Sequence, residues 1–256
     1  MIYINHFGMR EPPFGITPDT SFFFACKSIR EALNTLVVAV AGGEGFIKIT
    51  GEVGTGKTLL CRKLLATLDQ SWVSAYIPNP DLDPRTLLQA LIDELDIKGA
   101  EGLDRHSLLK IINHALLDCA RRKKRVIVCL DECQAMPIES MEALRLLTNL
   151  ETEKRKLLQV VLFGQPELDD KLSQTSIRQL RQRITFQYRL GRLTFNEVAQ
   201  YLEHRMTVAG YSGDRVFGSA AAWVIYLASG GVPRLVNILA NKALMLAYGR
   251  GERSVG

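Results

Sequence analysis

Gly51-Glu52-Val53-Gly54-Thr55-Gly56-Lys57-Thr58 follows directly on the apolar run Phe46-Ile47-Lys48-Ile49-Thr50, and a helical pattern, Leu59-Leu60-Cys61-Arg62-Lys63-Leu64-Leu65, follows on it. A glycine-rich turn between a strand and a helix is the setting in which this spacing, ending in Gly-Lys-Thr, has a physical meaning. Gly51, Gly54 and Gly56 carry no Cβ and can take positive φ, so successive backbone N–H groups can turn inward around a phosphate chain. The helix behind the loop adds the positive end of its dipole. Lys57 is placed to reach the β and γ phosphates, and the Thr58 hydroxyl to ligate a Mg2+ that bridges them. The expected nucleotide-binding segment is therefore Gly51, Glu52, Val53, Gly54, Thr55, Gly56, Lys57, Thr58 and Leu59. The plain alternative, a chance glycine-rich turn, does not explain the flanking strand and helix.

A second element, Arg125-Val126-Ile127-Val128-Cys129-Leu130-Asp131-Glu132, is a continuous apolar run that ends in two adjacent carboxylates. Such a run predicts a parallel strand covered on both faces, and ligands sit beyond the C-terminal ends of such strands. Asp131 is then expected to hold the Mg2+ through water, and Glu132 to orient and deprotonate an attacking water. A solvated turn would need no such pair behind a phosphate loop. The two elements together predict a nucleotide triphosphatase.

With 256 residues, 47% of them apolar and 23% charged, the chain is long enough for an α/β domain with a small appendage and too apolar for disorder. Its net charge of +5 permits an anionic partner without requiring one. Cys26, Cys61, Cys119, Cys129 and Cys133 form no Cys-x-x-Cys pair and are expected to be reduced thiols. His6, His106, His114 and His204 show no metal-ligand spacing. No basic-then-apolar leader opens the chain, and the apolar stretches around residues 33–41 and 223–228 are too short to span a membrane, so a cytoplasmic location is expected.

Strands at Val73–Ile77, Gln159–Gly164 and Ile184–Leu190 join the two above, and helical periods over residues 87–95 and 108–117 lie between them. Alternation of this kind predicts an α/β fold with a parallel five-stranded sheet covered by helices. From Thr194 onward the pattern is helical, broken at Gly230-Gly231-Val232-Pro233, which predicts a small helical domain over residues 192–256 behind an α/β domain of residues 1–191.

Further residues carry a resemblance that covers nearly the whole chain. They are Tyr3 to Phe7, Pro13-Phe14, Thr17-Pro18-Asp19, Phe22-Phe23-Phe24, Glu31-Ala32-Leu33, Leu130-Asp131-Glu132, Gly164-Gln165-Pro166-Glu167-Leu168, Leu180-Arg181-Gln182-Arg183-Ile184 and Gly231-Val232-Pro233-Arg234-Leu235-Val236-Asn237. Together with the phosphate loop they resemble the AAA+ ATPases of the ExeA, or general secretion pathway protein A, type, and in size the MSHA pilus biogenesis branch of that group.

The resemblance implies ATP with Mg2+ as cofactor, an adenine-side segment over residues 1–30 and a C-terminal lid. It implies that Gln165 contacts the γ-phosphate or the attacking water and that Arg234 reaches the γ-phosphate from the lid. Arg178, Arg181 and Arg183 lie where related proteins extend an arginine into a neighbouring subunit's site; Arg183 is the favoured one, and a surface charge run is the alternative. An arginine acting in trans implies a homo-oligomer, taken as a hexamer. The implied partners are inner-membrane pilus or secretion assembly proteins. The alternative function is that of DNA-bound regulators resembling the TniB and TnsC transposition ATPases, although no helix-turn-helix supports nucleic-acid binding. One position departs from the family: Ile29 stands where a histidine is common, two residues before Glu-Ala-Leu.

Overall fold

The structure is a computed structural model that describes residues 3–99, 102–149, 151–152 and 155–256. Its main strands are Phe46–Gly51 (β1), Trp72–Ile77 (β2), Arg125–Leu130 (β3), Leu158–Gly164 (β4) and Ile184–Leu190 (β5), and the short segments Glu151–Thr152 and Arg155–Lys156 pair antiparallel beside them in sequence. Its main helices are Lys27–Gly42 (α1), Lys57–Thr67 (α2), Pro84–Glu94 (α3), Arg105–Arg121 (α4), Ile138–Leu147 (α5), Glu167–Leu172 (α6), Phe195–Val208 (α7), Ser219–Ser229 (α8) and Pro233–Gly249 (α9). The five strands form one parallel sheet in the order β2-β3-β4-β1-β5. Each parallel neighbour requires a crossover, and helices supply it. Residue contacts divide the chain into two compact units: Glu31–Glu52 with Leu60–Leu190, and Met1–Arg30 with Val53–Leu59 and Gly191–Gly256.

The first unit holds the sheet. β3 and β4 are central and almost wholly buried, which is why they read as unbroken apolar runs. On one face Val126, Val128, Leu130, Leu158, Val160 and Leu162 join a core with Leu87 and Leu91 of α3, Leu108 and Ile112 of α4, and Met141 and Leu144 of α5. On the other face the buried Gln159 donates from Nε2 to the Val40 carbonyl of α1 at 3.1 Å. β5 is an edge strand whose residues alternate between exposed and half-buried before ending in buried Leu190. The pairings Leu130 with Leu162 and Thr50 with Gly164 bring the C-terminal ends of β3, β4 and β1 to one border of the sheet. Helix starts are set locally: Asp83 accepts from the N–H groups of Arg85 and Thr86, and Asp104 from that of Ser107.

The second unit is helical apart from its loops. Thr194 and Glu197 form a reciprocal capping box at the start of α7. Glu197 also accepts the Lys27 N–H at 3.0 Å, so the same carboxylate ties the first residue of α1 to α7. α8 stops at Gly230, φ +55°. The next residue, Gly231, has φ +73°, and a Cβ there would lie 2.1 Å from the Leu193 carbonyl oxygen. Only glycine allows that backbone crossing. No helix among the described residues is long and apolar enough to cross a membrane.

Candidate active site

The phosphate loop leaves β1 at Gly51 and enters α2 at Lys57, two residues before the apolar helical pattern begins. Gly51 stays in the strand, so positive φ is used at only two of its three glycines, Gly54 at +80° and Gly56 at +101°. Gly54 has a packing reason as well. A Cβ on Gly54 would lie 2.5 Å from the Arg234 Cβ, and the Gly54 carbonyl accepts the Arg234 N–H at 3.3 Å. At Gly56 a Cβ would meet Ile29 Cδ1 at 3.7 Å, an ordinary contact. The helical unit thus seats its phosphate loop between the starts of α1 and α9. Thr55 and Lys57 are buried, while Glu52, Gly54, Gly56, Thr58 and Leu59 are half-buried and Val53 is exposed. Arg234 is exposed at the first turn of α9, where Pro233 presets the backbone for a helix.

In the sheet unit a second constellation forms at the border where β3 and β4 end. Asp131 is buried; its N–H donates to the Ile77 carbonyl at 3.0 Å, and its Oδ1 accepts the Glu132 N–H at 3.0 Å. Glu132 has φ +53°, a left-handed conformation that side chains seldom adopt and that active sites often retain. Its Oε2 accepts from Gln134 Nε2 at 2.6 Å and from Gln165 Nε2 at 3.1 Å. Gln134 Oε1 in turn accepts the Gln165 N–H at 3.0 Å. Two amides therefore fix the carboxylate, and one of them also fixes the other. A Cβ on Gly164 would stand 2.7 Å from Leu168 Cδ2 and 3.3 Å from Gln134 Oε1, so a side chain there would displace Leu168 and crowd the Gln134 amide. Lys171 Nζ secures the turn by donating to the carbonyls of Gln134 and Met136 at 2.5 and 2.7 Å.

Gln134 and Lys171 escaped the reading of the sequence. The available signal was a polar residue at 134 inside the otherwise apolar Cys133–Met136 turn; for Lys171 there was none. The structure brings Asp131, Glu132 and Gln165 together in one unit, and Gly54, Lys57, Thr58 and Arg234 together in the other. Arg183 is half-buried, donating from Nη1 to the Arg145 carbonyl at 3.1 Å and to Thr148 Oγ1 at 3.2 Å; Arg178 and Arg181 are exposed.

Burial and the nearby Asp131 charge push the Tyr76 hydroxyl up to about 12. The Cys61 thiol is held protonated by its hydrogen bond with Cys129 and by burial, and Cys133 by burial and the Asp131 charge. All five cysteines are free, and Cys61, Cys129 and Cys133 are buried.

A family model described as an AAA domain matches residues 40–172, which include the phosphate loop, Asp131, Glu132 and Gln165. The chain belongs to the AAA domain family. It is 41% identical to general secretion pathway protein A of Aeromonas hydrophila over 254 residues, 99% of this chain and 46% of that protein. The chain thus spans about half the length of the relative it matches. Among solved structures the AAA domain is similar to Cdc6p of Pyrobaculum aerophilum, with a TM-score of 0.69, 18% identity and 93% of this chain and 68% of that chain covered. It is also similar to the ORC2 protein of Aeropyrum pernix in its ADPNP–ADP complexes, with a TM-score of 0.66, 16% identity and coverage of 94% and 69%. Identities this low speak to the fold alone, that of an AAA ATPase core.

Proposed function

We propose that the chain binds ATP with Mg2+ and hydrolyses it, and that this cycle drives or regulates assembly of a type IV, MSHA-like pilus or of a type II secretion apparatus. The observation that carries the enzymatic half is the Glu132 carboxylate, fixed by Gln134 and Gln165 beside buried Asp131 at the sheet border. A binding module without turnover has no use for a strained glutamate held by two amides. The division into a nucleotide-binding domain of residues 1–191 and a lid of residues 192–256 belongs to this reading. The assembly role draws on the likeness to general secretion pathway protein A.

In this reading the N–H groups of residues 51–58 and the Lys57 ammonium hold the triphosphate. The Thr58 hydroxyl and the Asp131 carboxylate are hard oxygen donors of the kind Mg2+ takes, and the bound ion would neutralise phosphate charge. Glu132 accepts the proton of the attacking water, and Gln165, hydrogen-bonded to it, positions that water or the γ-phosphate. Arg234, anchored through its own N–H on Gly54, presents its guanidinium to the phosphates. Arg183, Arg178 or Arg181 from a neighbouring copy completes the site in a homo-oligomer, taken as a hexamer. For Arg183 this requires giving up its bonds to Arg145 and Thr148.

The test is turnover by Glu132→Gln. This variant keeps the shape and both amide partners and is expected to bind ATP while hydrolysing it at least about a hundredfold more slowly. Wild-type turnover in the variant would remove Glu132 from the role of base. Adding duplex DNA to the wild-type assay separates the assembly role from that of a DNA-bound regulator, since strong stimulation at fixed salt favours the latter.

A further inference from the structure

β1 lies inside the sheet, between β4 and β5, yet it carries Lys48 in its middle. Phe46 joins the core on one face of the sheet, and strand alternation places Lys48 and Thr50 on that same face. The topology explains why a lysine is tolerated there. The crossover from β4 to β5 has to pass over β1, and it does so in short helical pieces: α6, a turn at Thr175–Ile177 and a helix at Arg178–Arg181. This thin cover leaves a groove of about 680 Å3 over β1 and β5, lined by Lys48 and Thr50 of β1, Gln187 and Arg189 of β5, Asp169 of α6 and Arg181. The Lys48 side chain is only 11% exposed and is ion-paired with Asp169. Arg181 is exposed and forms no ion pair among the described residues, and Arg189 stands 3.9 Å from the exposed carboxylate of Glu52. Three cations therefore line the groove with one carboxylate among them.

We propose that this groove is a docking site for an extended acidic segment of a partner protein, laid along the β5 edge with its carboxylates on Arg181, Arg189 and Lys48. The chemistry is already on display: Asp169 shows that a carboxylate is what Lys48 holds there. The extended form follows from β5, which ends the sheet and whose outer backbone edge can take one more strand. In such a strand every second side chain faces the groove. Charge along an edge is also a guard against stray pairing, and Arg189 by itself would need no other account. Lys48 guards no edge, however, and Arg181 belongs to the crossover, so the three cations share the groove rather than the edge. Docking requires no bound nucleotide.

The probe is an end-blocked peptide of seven residues, as long as β5, that alternates Glu with Thr; a peptide alternating Gln with Thr is the control. Dissociation constants are measured by fluorescence anisotropy on the full chain without nucleotide. The acidic peptide is expected to bind at least about tenfold more tightly than the control, with an affinity that falls as salt rises. Arg189→Glu and Lys48→Met are each expected to weaken it about tenfold. Lys110→Glu, at an exposed position of α4 outside the groove, makes the same change in net charge as Arg189→Glu and is expected to leave the affinity within about twofold. Arg189 is exposed, so Arg189→Glu carries the test if Lys48→Met fails to fold. Equal binding of the two peptides, or equal losses for Arg189→Glu and Lys110→Glu, overturns the docking site. Inorganic phosphate that binds as tightly as the acidic peptide would assign the groove to a small anion and overturn it too. So would a short oligothymidylate that binds more tightly with the same dependence on Arg189, which would assign it to nucleic acid. None of these failures bears on ATP hydrolysis, which Glu132→Gln tests by itself.

Discussion

Gly54 and Glu132 both occupy left-handed backbone, one because any side chain would collide, the other in spite of carrying one. Gly54→Ala meets two obstacles at once: φ of +80° and an approach of 2.5 Å to the Arg234 Cβ, which belongs to a helix start and has little room to give. Strain of this sort costs about 1–3 kcal/mol. The expected result is a lower melting temperature and loss of the further rise that ATP gives the wild type. An unchanged ATP-induced shift in a thermal melt would count against the seating of the loop on α9. At this scale the loop glycines, Lys57, Asp131 and Glu132 were legible as candidates, because they lie in contiguous spacing. Gln134, Lys171 and Arg205 were not, because what each touches lies on another element: Lys171 reaches back from α6 to the turn after β3, and Arg205 of α7 donates to the Pro13 carbonyl across most of the chain. No periodicity encodes such contacts.

The helix α7 is held by a capping box whose glutamate serves two starts, its own and that of α1. Burial raises the Glu197 pKa, yet the N–H groups of Thr194 and Lys27 and the Thr194 hydroxyl outweigh it, so the carboxyl stays below its usual value. A depressed folded value means that the stabilisation is present above the unfolded pKa, near 4.5, and is lost as pH falls through the folded one. Thr194→Ala is expected to cost about 1 kcal/mol in urea melts at neutral pH. Glu197→Gln is expected to flatten the acid side of the stability profile, and a profile parallel to wild type between pH 6 and pH 3 would show that this carboxylate contributes nothing to it. Strands were legible where burial is two-sided, as in β3 and β4, and also at β5, whose alternation marks an edge. The start of α2 was read late because its first residues, Lys57 and Thr58, are polar for the loop's sake rather than the helix's. The segment before α1 was legible only as aromatic and proline-rich residues. Its Pro13 and Gly15 carbonyls are held by Arg205 and Asn237, far along the chain.

For the whole molecule the question is whether one copy suffices. If Arg183 completes a neighbour's site, Arg183→Ala is expected to bind ATP, turn over at least about a hundredfold more slowly, and regain activity when mixed with Glu132→Gln, whose own sites lack only the base. Mixtures no more active than their parts would transfer the role to Arg181 or Arg178, or describe an enzyme that works alone, which the dependence of turnover on protein concentration then decides. The unit that contains the phosphate loop has one more consequence. It is assembled from Met1–Arg30, Val53–Leu59 and Gly191–Gly256, so residue 54 waits for residue 234 before it has its packing. During synthesis the residues of the sheet unit are all present once Leu190 has left the ribosome. The phosphate loop still lacks Arg234, its packing partner. A nascent chain stopped before α9 would carry every strand and an unseated loop, so the packing of the loop arrives late in synthesis.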